Sequence, residues 1–170
     1  KREKMRITIP DFMAAVEKQT DGKIRADDFY PVPTVVPIAR GVGALKGKHY
    51  VEFTVHPHCG MGTYAFIEDG EIVPITHYGD VEKFVKTLEK VGEDAEKGRK
   101  TRAKMRLVGA VRHVKFGLLR KYLWPVLKTG SYEALGDLHR KMLLISSMHF
   151  MDPYNFDLER ANRCCIHYAV

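Results

Sequence analysis

The run His56-Pro57-His58-Cys59 sets two imidazoles beside one of the three cysteines in this 170-residue chain. Thiolate and imidazole are the ligands of zinc and of iron–sulfur centres. Gly60 and Gly62 follow at once, and a backbone without Cβ can approach an inorganic body closely. A closed zinc site takes four ligands. Cys59, His58 and Cys164 can supply three of them. Cys165 neighbours Cys164 in an extended run, where successive side chains point to opposite faces, so at most one of that pair reaches a given site. The chain has no C-x-x-C pair. Buried thiols beside hydrogen-bonded histidines account for the same residues without any metal.

The stretch "SSMHFMDPYNFD" crowds His149, Asp152, Tyr154, Asn155 and Asp157 into one loop. Asp-Pro and Asn form turns and caps, which explains the loop structurally. Loops also line sites, and on that reading His149, Tyr154 and Asn155, with His56, contact substrate.

Charge is concentrated. Eleven of the 28 Lys and Arg residues and none of the 21 Asp and Glu residues lie in residues 97–128, so 17 basic residues face those 21 acids elsewhere. In this stretch Arg102, Arg106 and His113 share a polar side, while Met105, Val108, Leu119, Leu123 and Val126 form an apolar one. Such a helix can lie on an anionic bilayer, with Arg102, Arg106, Lys115, Arg120 and Lys121 at the headgroups and Trp124 at the interface. It can also be the solvated face of a core helix. Nucleic acid is a poor third partner, because no recognised motif accompanies the charge and no aromatic platform is interleaved with it.

The elements that must position these groups follow from periodicity and punctuation. Thr8 caps a helix with Pro10 in its first turn. Pro31, Pro33 and Pro37 hold the chain extended before a short helix over residues 37–45. Residues 50–55 and 62–67 alternate as strands, Asp69-Gly70 is a hairpin turn, and 71–76 return. Asp80 caps an amphipathic helix carrying Val81, Phe84, Val85 and Leu88, and 92–98 form a polar connector. A long helix covers 101–127, another 132–148, and 164–170 make a last strand. With 45% apolar and 29% charged residues the composition is globular. No apolar run approaches the roughly 20 residues of a membrane span, and no apolar segment marks a secretory leader. An odd cysteine count then points to a reducing, cytoplasmic setting, at most peripheral to a membrane. Both ends read as the interior of a longer protein.

Three blocks, "DFYPVP" (28–33), "HPHCGMGTYAFIEDGEIVPIT" (56–76) and "MHFMDPYNFDLERANRCCIHYA" (148–169), together resemble the C-terminal half of archaeal radical S-adenosylmethionine proteins related to the tetraether lipid synthase. The resemblance runs over nearly the whole chain and is weakest in the basic middle. It implies a partial β/α barrel whose 4Fe–4S cluster cleaves S-adenosylmethionine, with auxiliary clusters held by cysteines toward the C-terminus. By position Cys59 and Cys164 match the auxiliary-cluster blocks. Pro74-Ile75 stands where a further cysteine often follows such a hairpin, so His58 or residues outside this chain complete the set. The C-x3-C-x2-C of the radical-generating cluster is absent. The resemblance therefore implies an inactive fragment that needs a missing N-terminal radical S-adenosylmethionine core and acts on lipid chains by C–C bond formation. The alternative is a non-catalytic basic module for RNA or anionic membranes. A zinc-stabilised domain using Cys59, His58 and Cys164 is a third reading. The fold expected is α+β, with helices around a small antiparallel hairpin sheet. Residues 1–48 would end the barrel and form a Pro-rich connector. Residues 49–170 would form the auxiliary region, with hairpin 50–76, helices 80–148 and terminal strand 164–170.

Overall fold

A computed structural model of the chain describes residues 6–47, 52, 55–124 and 132–164. Helix α1 (Ile9–Gln19) starts where Thr8 and Asp11 form a reciprocal capping box, with Pro10 in the first turn, and it stops at Asp21 and Gly22, both at positive φ. The proline-rich segment yields the two-residue strand β1 (Tyr30–Pro31), a 3-10 turn, and then helix α2 (Val35–Lys46), which ends at left-handed Gly47. After a 3-10 turn at Pro57–Cys59, strand β2 (Gly60–Glu68) runs to the Asp69-Gly70 turn and returns as β3 (Glu71–Pro74). Asp69 and Gly70 both have positive φ, the backbone that a two-residue hairpin with right-handed twist requires.

Helix α3 (Val81–Glu96) is capped by Asp80, and α4 (Lys100–Ala110) follows. A 3-10 turn, the short α5 (Phe116–Leu118) and a π-turn over Leu119–Leu123 come next. The chain closes with α6 (Tyr132–Arg140), strand β4 (Met142–Met148) and α7 (Leu158–Asn162).

The α+β expectation holds: helices surround a small antiparallel sheet of four strands among the described residues. Strand β2 is its centre. β4 pairs with it from Gly60↔Met148 to Phe66↔Met142, while β1 (Tyr30↔Gly62) and β3 (Phe66↔Val73) share the opposite edge. Successive β2 side chains serve opposite faces. Ala65 joins Ile24 and Phe29 in a core cluster covered by Phe12, Met13 and Val16 of α1. Phe66 packs on the other side against Leu118 and Tyr122.

Several element boundaries differ from the pattern. The expected connector 92–98 is mostly helix, because Gly92 lets α3 pass close to Arg40 of α2, and Gly41 likewise meets Leu88. The expected helix 101–127 breaks at Val114, which bridges to Gly79. The expected helix 132–148 ends at Arg140. Its second half is β4, because the free edge of β2 offers "MLLISSM" a full ladder of backbone partners. The expected strand over 50–55 falls mainly outside the described residues. So does the terminal strand, apart from Cys164, whose N–H bonds back to Ala161 O just after α7.

Candidate functional site

The three sequence blocks meet at the start of β2. Tyr30 pairs with Gly62, Gly60 pairs with Met148, and the His149 N–H donates to Cys59 O at 2.9 Å. Gly60 and Gly62 serve this junction. A Cβ on Gly60 would lie 3.0 Å from Ser147 O, and one on Gly62 would lie 3.3 Å from Ser146 Cβ. The close approach these glycines were expected to give an inorganic body is given to β4.

Cys59 is half-buried at the end of the 3-10 turn, and its N–H donates to His56 O at 2.9 Å. His56 Nδ1 accepts the His58 N–H at 3.2 Å, and the two rings meet edge to face with centroids 4.9 Å apart. Cys164 is exposed beyond α7, and neither described cysteine is in a disulfide. Among the described residues no group of three His, Cys, Asp or Glu side chains is arranged to hold a metal ion. Cys59, His58 and Cys164 are therefore not brought together as a ligand set, and the described residues do not fit a cluster by themselves.

The loop carrying the other candidates is built tightly. From His149 the chain turns through Asp152, whose N–H donates to Asn155 Oδ1 at 2.5 Å and whose Oδ1 accepts from the Tyr154 N–H at 2.8 Å. Arg6 of the N-terminal segment anchors Asp152 by an ion pair at 2.6 Å. Asp157 caps α7 through the N–H groups of Glu159 and Arg160. His149 sits at the loop's base. Its Nε2 lies 3.2 Å from Asn155 Nδ2 and its Nδ1 lies 3.4 Å from Arg160 Nη1, while its carbonyl accepts from Arg160 Nη2 at 2.6 Å. So the structure brings His149 and Asn155 together, whereas Tyr154 stands out in solvent. Arg160, which sequence reasoning gave no role, closes the loop. Its place one turn beyond the Asp157 cap is the only hint the sequence carried.

The basic segment is arranged differently from its amphipathic reading. Arg106, together with the half-exposed Arg99 and Arg102, reaches Asp94 of α3, whose side chain is 6% exposed. Arg106 Nε approaches Asp94 Oδ2 to 2.8 Å without lining up as a hydrogen bond. Met105 and Val108, placed on the apolar side, are 64% and 74% exposed. Small residues, Ala103 and Ala110, fill the buried side of α4 instead. A buried carboxylate outcompetes apolar contact for that face, since an unpaired buried charge is costly. Lys115 lines an open cleft with Thr76, Lys83, Arg112 and His113. Arg120 and Trp124 are exposed.

Lys121 pairs with Glu68 at 3.0 Å. Tyr122 also donates its hydroxyl to Glu68, and the buried Tyr78 hydroxyl sits beside the same carboxylate. The Tyr122 and Tyr78 hydroxyls and Lys121 together hold the Glu68 carboxyl down to about 2. Burial, reinforced by Glu68, pushes both tyrosine hydroxyls up.

Among the described residues no helix is long and apolar enough to cross a membrane. No protein-family model matches the chain. The chain is 44% identical, over 97% of its length, to the 7,8-dihydro-6-hydroxymethylpterin dimethyltransferase of Methanocaldococcus jannaschii, and it spans 35% of that relative. This corrects the tetraether lipid synthase resemblance. The relative is an enzyme whose name specifies methyl transfer to a reduced pterin, not lipid C–C bond formation and not a non-catalytic RNA- or membrane-binding module. The lipid-biosynthesis role, and the view of the chain as a piece of a lipid synthase, fall with it. The three blocks carry strand β2 and its flanking loops, and likeness in such elements does not specify a substrate.

Proposed function

We propose that the protein containing this chain transfers methyl groups to a reduced pterin, and that this chain supplies part of that enzyme. The single observation that carries the reading is the 44% identity with the pterin dimethyltransferase, which extends over 97% of the chain rather than one motif. The junction at the start of β2 supports it, because His149, Asn155 and Arg160 form a fixed polar cluster beside Cys59.

We propose S-adenosylmethionine and an iron–sulfur cluster as cofactors of the whole protein, in line with the radical S-adenosylmethionine likeness of the three blocks. Such a cluster would supply one-electron chemistry for attaching a methyl group at an unactivated carbon, and the chain's own part would be orientation and exclusion of water. Cys59 and Cys164 are the thiols it would contribute. They need partners from beyond the described residues.

The test uses the protein as its gene encodes it, purified anaerobically and supplied with 7,8-dihydro-6-hydroxymethylpterin, S-adenosylmethionine and a reductant. Mass spectrometry should find pterins heavier by one and by two methylene units. Unchanged pterin, in a preparation that still consumes S-adenosylmethionine, would remove the pterin from the reading.

A further inference from the structure

The open cleft between the start of α3 and the turn after α4 carries positive charge that its own walls do not balance. It encloses about 400 Å³, within the range of small-molecule sites. Its floor is a crossing of two backbone segments. Gly79 bridges to Val114, the Asp80 N–H donates to His113 O at 2.9 Å, and the Lys115 N–H donates to Tyr78 O at 2.6 Å. The Tyr78 ring packs edge to face on Phe66 of β2, which ties this crossing to the core. The cleft is therefore a fixed concavity rather than a gap between loose loops.

Lys83, Arg112, His113 and Lys115 line it, with Asp80 as the one acid. Asp80 is already engaged. Lys83 Nζ pairs with it at 2.7 Å and the Lys83 N–H donates to it at 3.0 Å, so its carboxyl is held below the usual range. Arg112 and Lys115 are exposed, and among the described residues neither side chain has an ion-pair or hydrogen-bond partner. Other cations of the same stretch are met: Arg99, Arg102 and Arg106 by Asp94, and Lys121 by Glu68. Two unanswered cations in one concave wall focus a positive potential there.

That surplus suits a dianion. A carboxylate brings a single charge, which one arginine can take up. A phosphate group carries about two negative charges and three strong acceptor oxygens, enough for a guanidinium and an ammonium together. A nucleic-acid strand would instead need a continuous basic track, and Asp94 neutralises the arginines of α4 that would extend it.

We propose that this cleft binds the phosphate group of a small phosphorylated molecule, with Arg112 and Lys115 as its charged contacts. The site stands on its own geometry and does not depend on the pterin reading.

Isothermal titration calorimetry of inorganic pyrophosphate into the protein as its gene encodes it tests this at low ionic strength. Binding should saturate, and Arg112→Gln and Lys115→Gln should each weaken it by about tenfold, the scale of one charge-assisted contact. Both side chains are exposed and unpartnered, so neither change endangers the fold. Lys104→Gln, at an exposed cation of α4 outside the cleft, should bind as the unsubstituted protein does. No binding, affinity within twofold of normal in both cleft variants, or an equal loss in Lys104→Gln overturns the proposal, the last because it means diffuse attraction. Acetate binding as tightly as pyrophosphate overturns the phosphate assignment. Sedimentation with phosphatidylglycerol vesicles separates the other source of phosphate. Vesicle binding that falls in Arg112→Gln and Lys115→Gln, with no pyrophosphate binding, puts the phosphate on a lipid headgroup and overturns the small-molecule assignment.

Discussion

A series of glycine-to-alanine substitutions measures how closely the segments of this fold are stitched. Gly79 has φ 168°, extended backbone that alanine adopts freely, so any cost there is steric. A Cβ on Gly79 would overlap the His113 carbonyl oxygen, well inside the 3.0 Å that real Cβ atoms respect. That carbonyl accepts from the Asp80 N–H at 2.9 Å, and next to it the Lys115 N–H donates to Tyr78 O at 2.6 Å. Relieving the overlap parts the two segments. Overpacking of this kind costs about 1–3 kcal/mol, and weakening two backbone hydrogen bonds adds about 0.5–1.5 kcal/mol each. Restricting the unfolded chain returns about 0.4–1 kcal/mol. The net loss is about 3 kcal/mol, which lowers the thermal midpoint by roughly 6–12 °C in a domain of this size. Gly60→Ala, 3.0 Å from Ser147 O, should cost about 1 kcal/mol. Gly62→Ala should be near neutral, because its nearest neighbour is a serine side chain at 3.3 Å that can give. Gly109→Ala in α4 meets nothing within 4 Å and should stabilise by about 1 kcal/mol from helix propensity. Urea unfolding followed by circular dichroism reads all four. If Gly79→Ala matches Gly109→Ala in stability, the junction is not packed as described and the steric reasoning is wrong.

Glu68 makes stability pH-dependent: its carboxyl is held down to about 2, so its contribution is present above the ordinary value of 4.5 and is lost as pH falls toward 2. Glu68→Gln should flatten the acid limb of a urea midpoint–pH profile, and an unchanged limb would refute this. Tyr78 and Tyr122 act at the other extreme. Their hydroxyls are held above the usual 10, so the stability they give is intact below that pH and is lost as pH rises past it. Asp94→Asn removes the counter-charge that three arginines share. It should cost about 2–3 kcal/mol, below the roughly 3–5 kcal/mol of a fully buried broken pair because Arg99 and Arg102 are half exposed. A loss below about 0.5 kcal/mol in urea unfolding would contradict that role. Phe66→Ala opens a void between β2 and the Leu118–Tyr122 turn and should cost about 3–5 kcal/mol by the same measurement.

Local signals were legible wherever the physics is local. Thr8 and Asp11, the Asp69-Gly70 turn and the Asp80 cap each satisfy backbone groups within three or four residues, so sequence is enough to place them. The loop at 149–160 was legible as a candidate for the same reason, since Asp152, Asn155 and Asp157 bond to their own neighbourhood. Residues 142–148 were not. "MLLISSM" suits a helix face or a strand equally, and the free edge of β2 chose between them from 76 to 88 residues away in the chain. In the basic segment the ion pairs were out of reach of periodicity for a similar reason. Periodicity sorted α4 by polarity, but that Arg102 and Arg106 meet Asp94 is decided by the preceding helix.

By itself, then, the sequence determined the caps, the hairpin, the α+β class and the residues from which a site is made. It also carried, by comparison, the likeness to a pterin-methylating enzyme. Only the tertiary structure decided that Cys59, His149 and Arg160 share one corner, and that Arg160 has no buried counter-charge among the described residues. The reason is one of range. Caps and turns are settled by bonds a few residues long, whereas a charge is buried and partnered by groups that only the folded chain brings within a few ångströms of it.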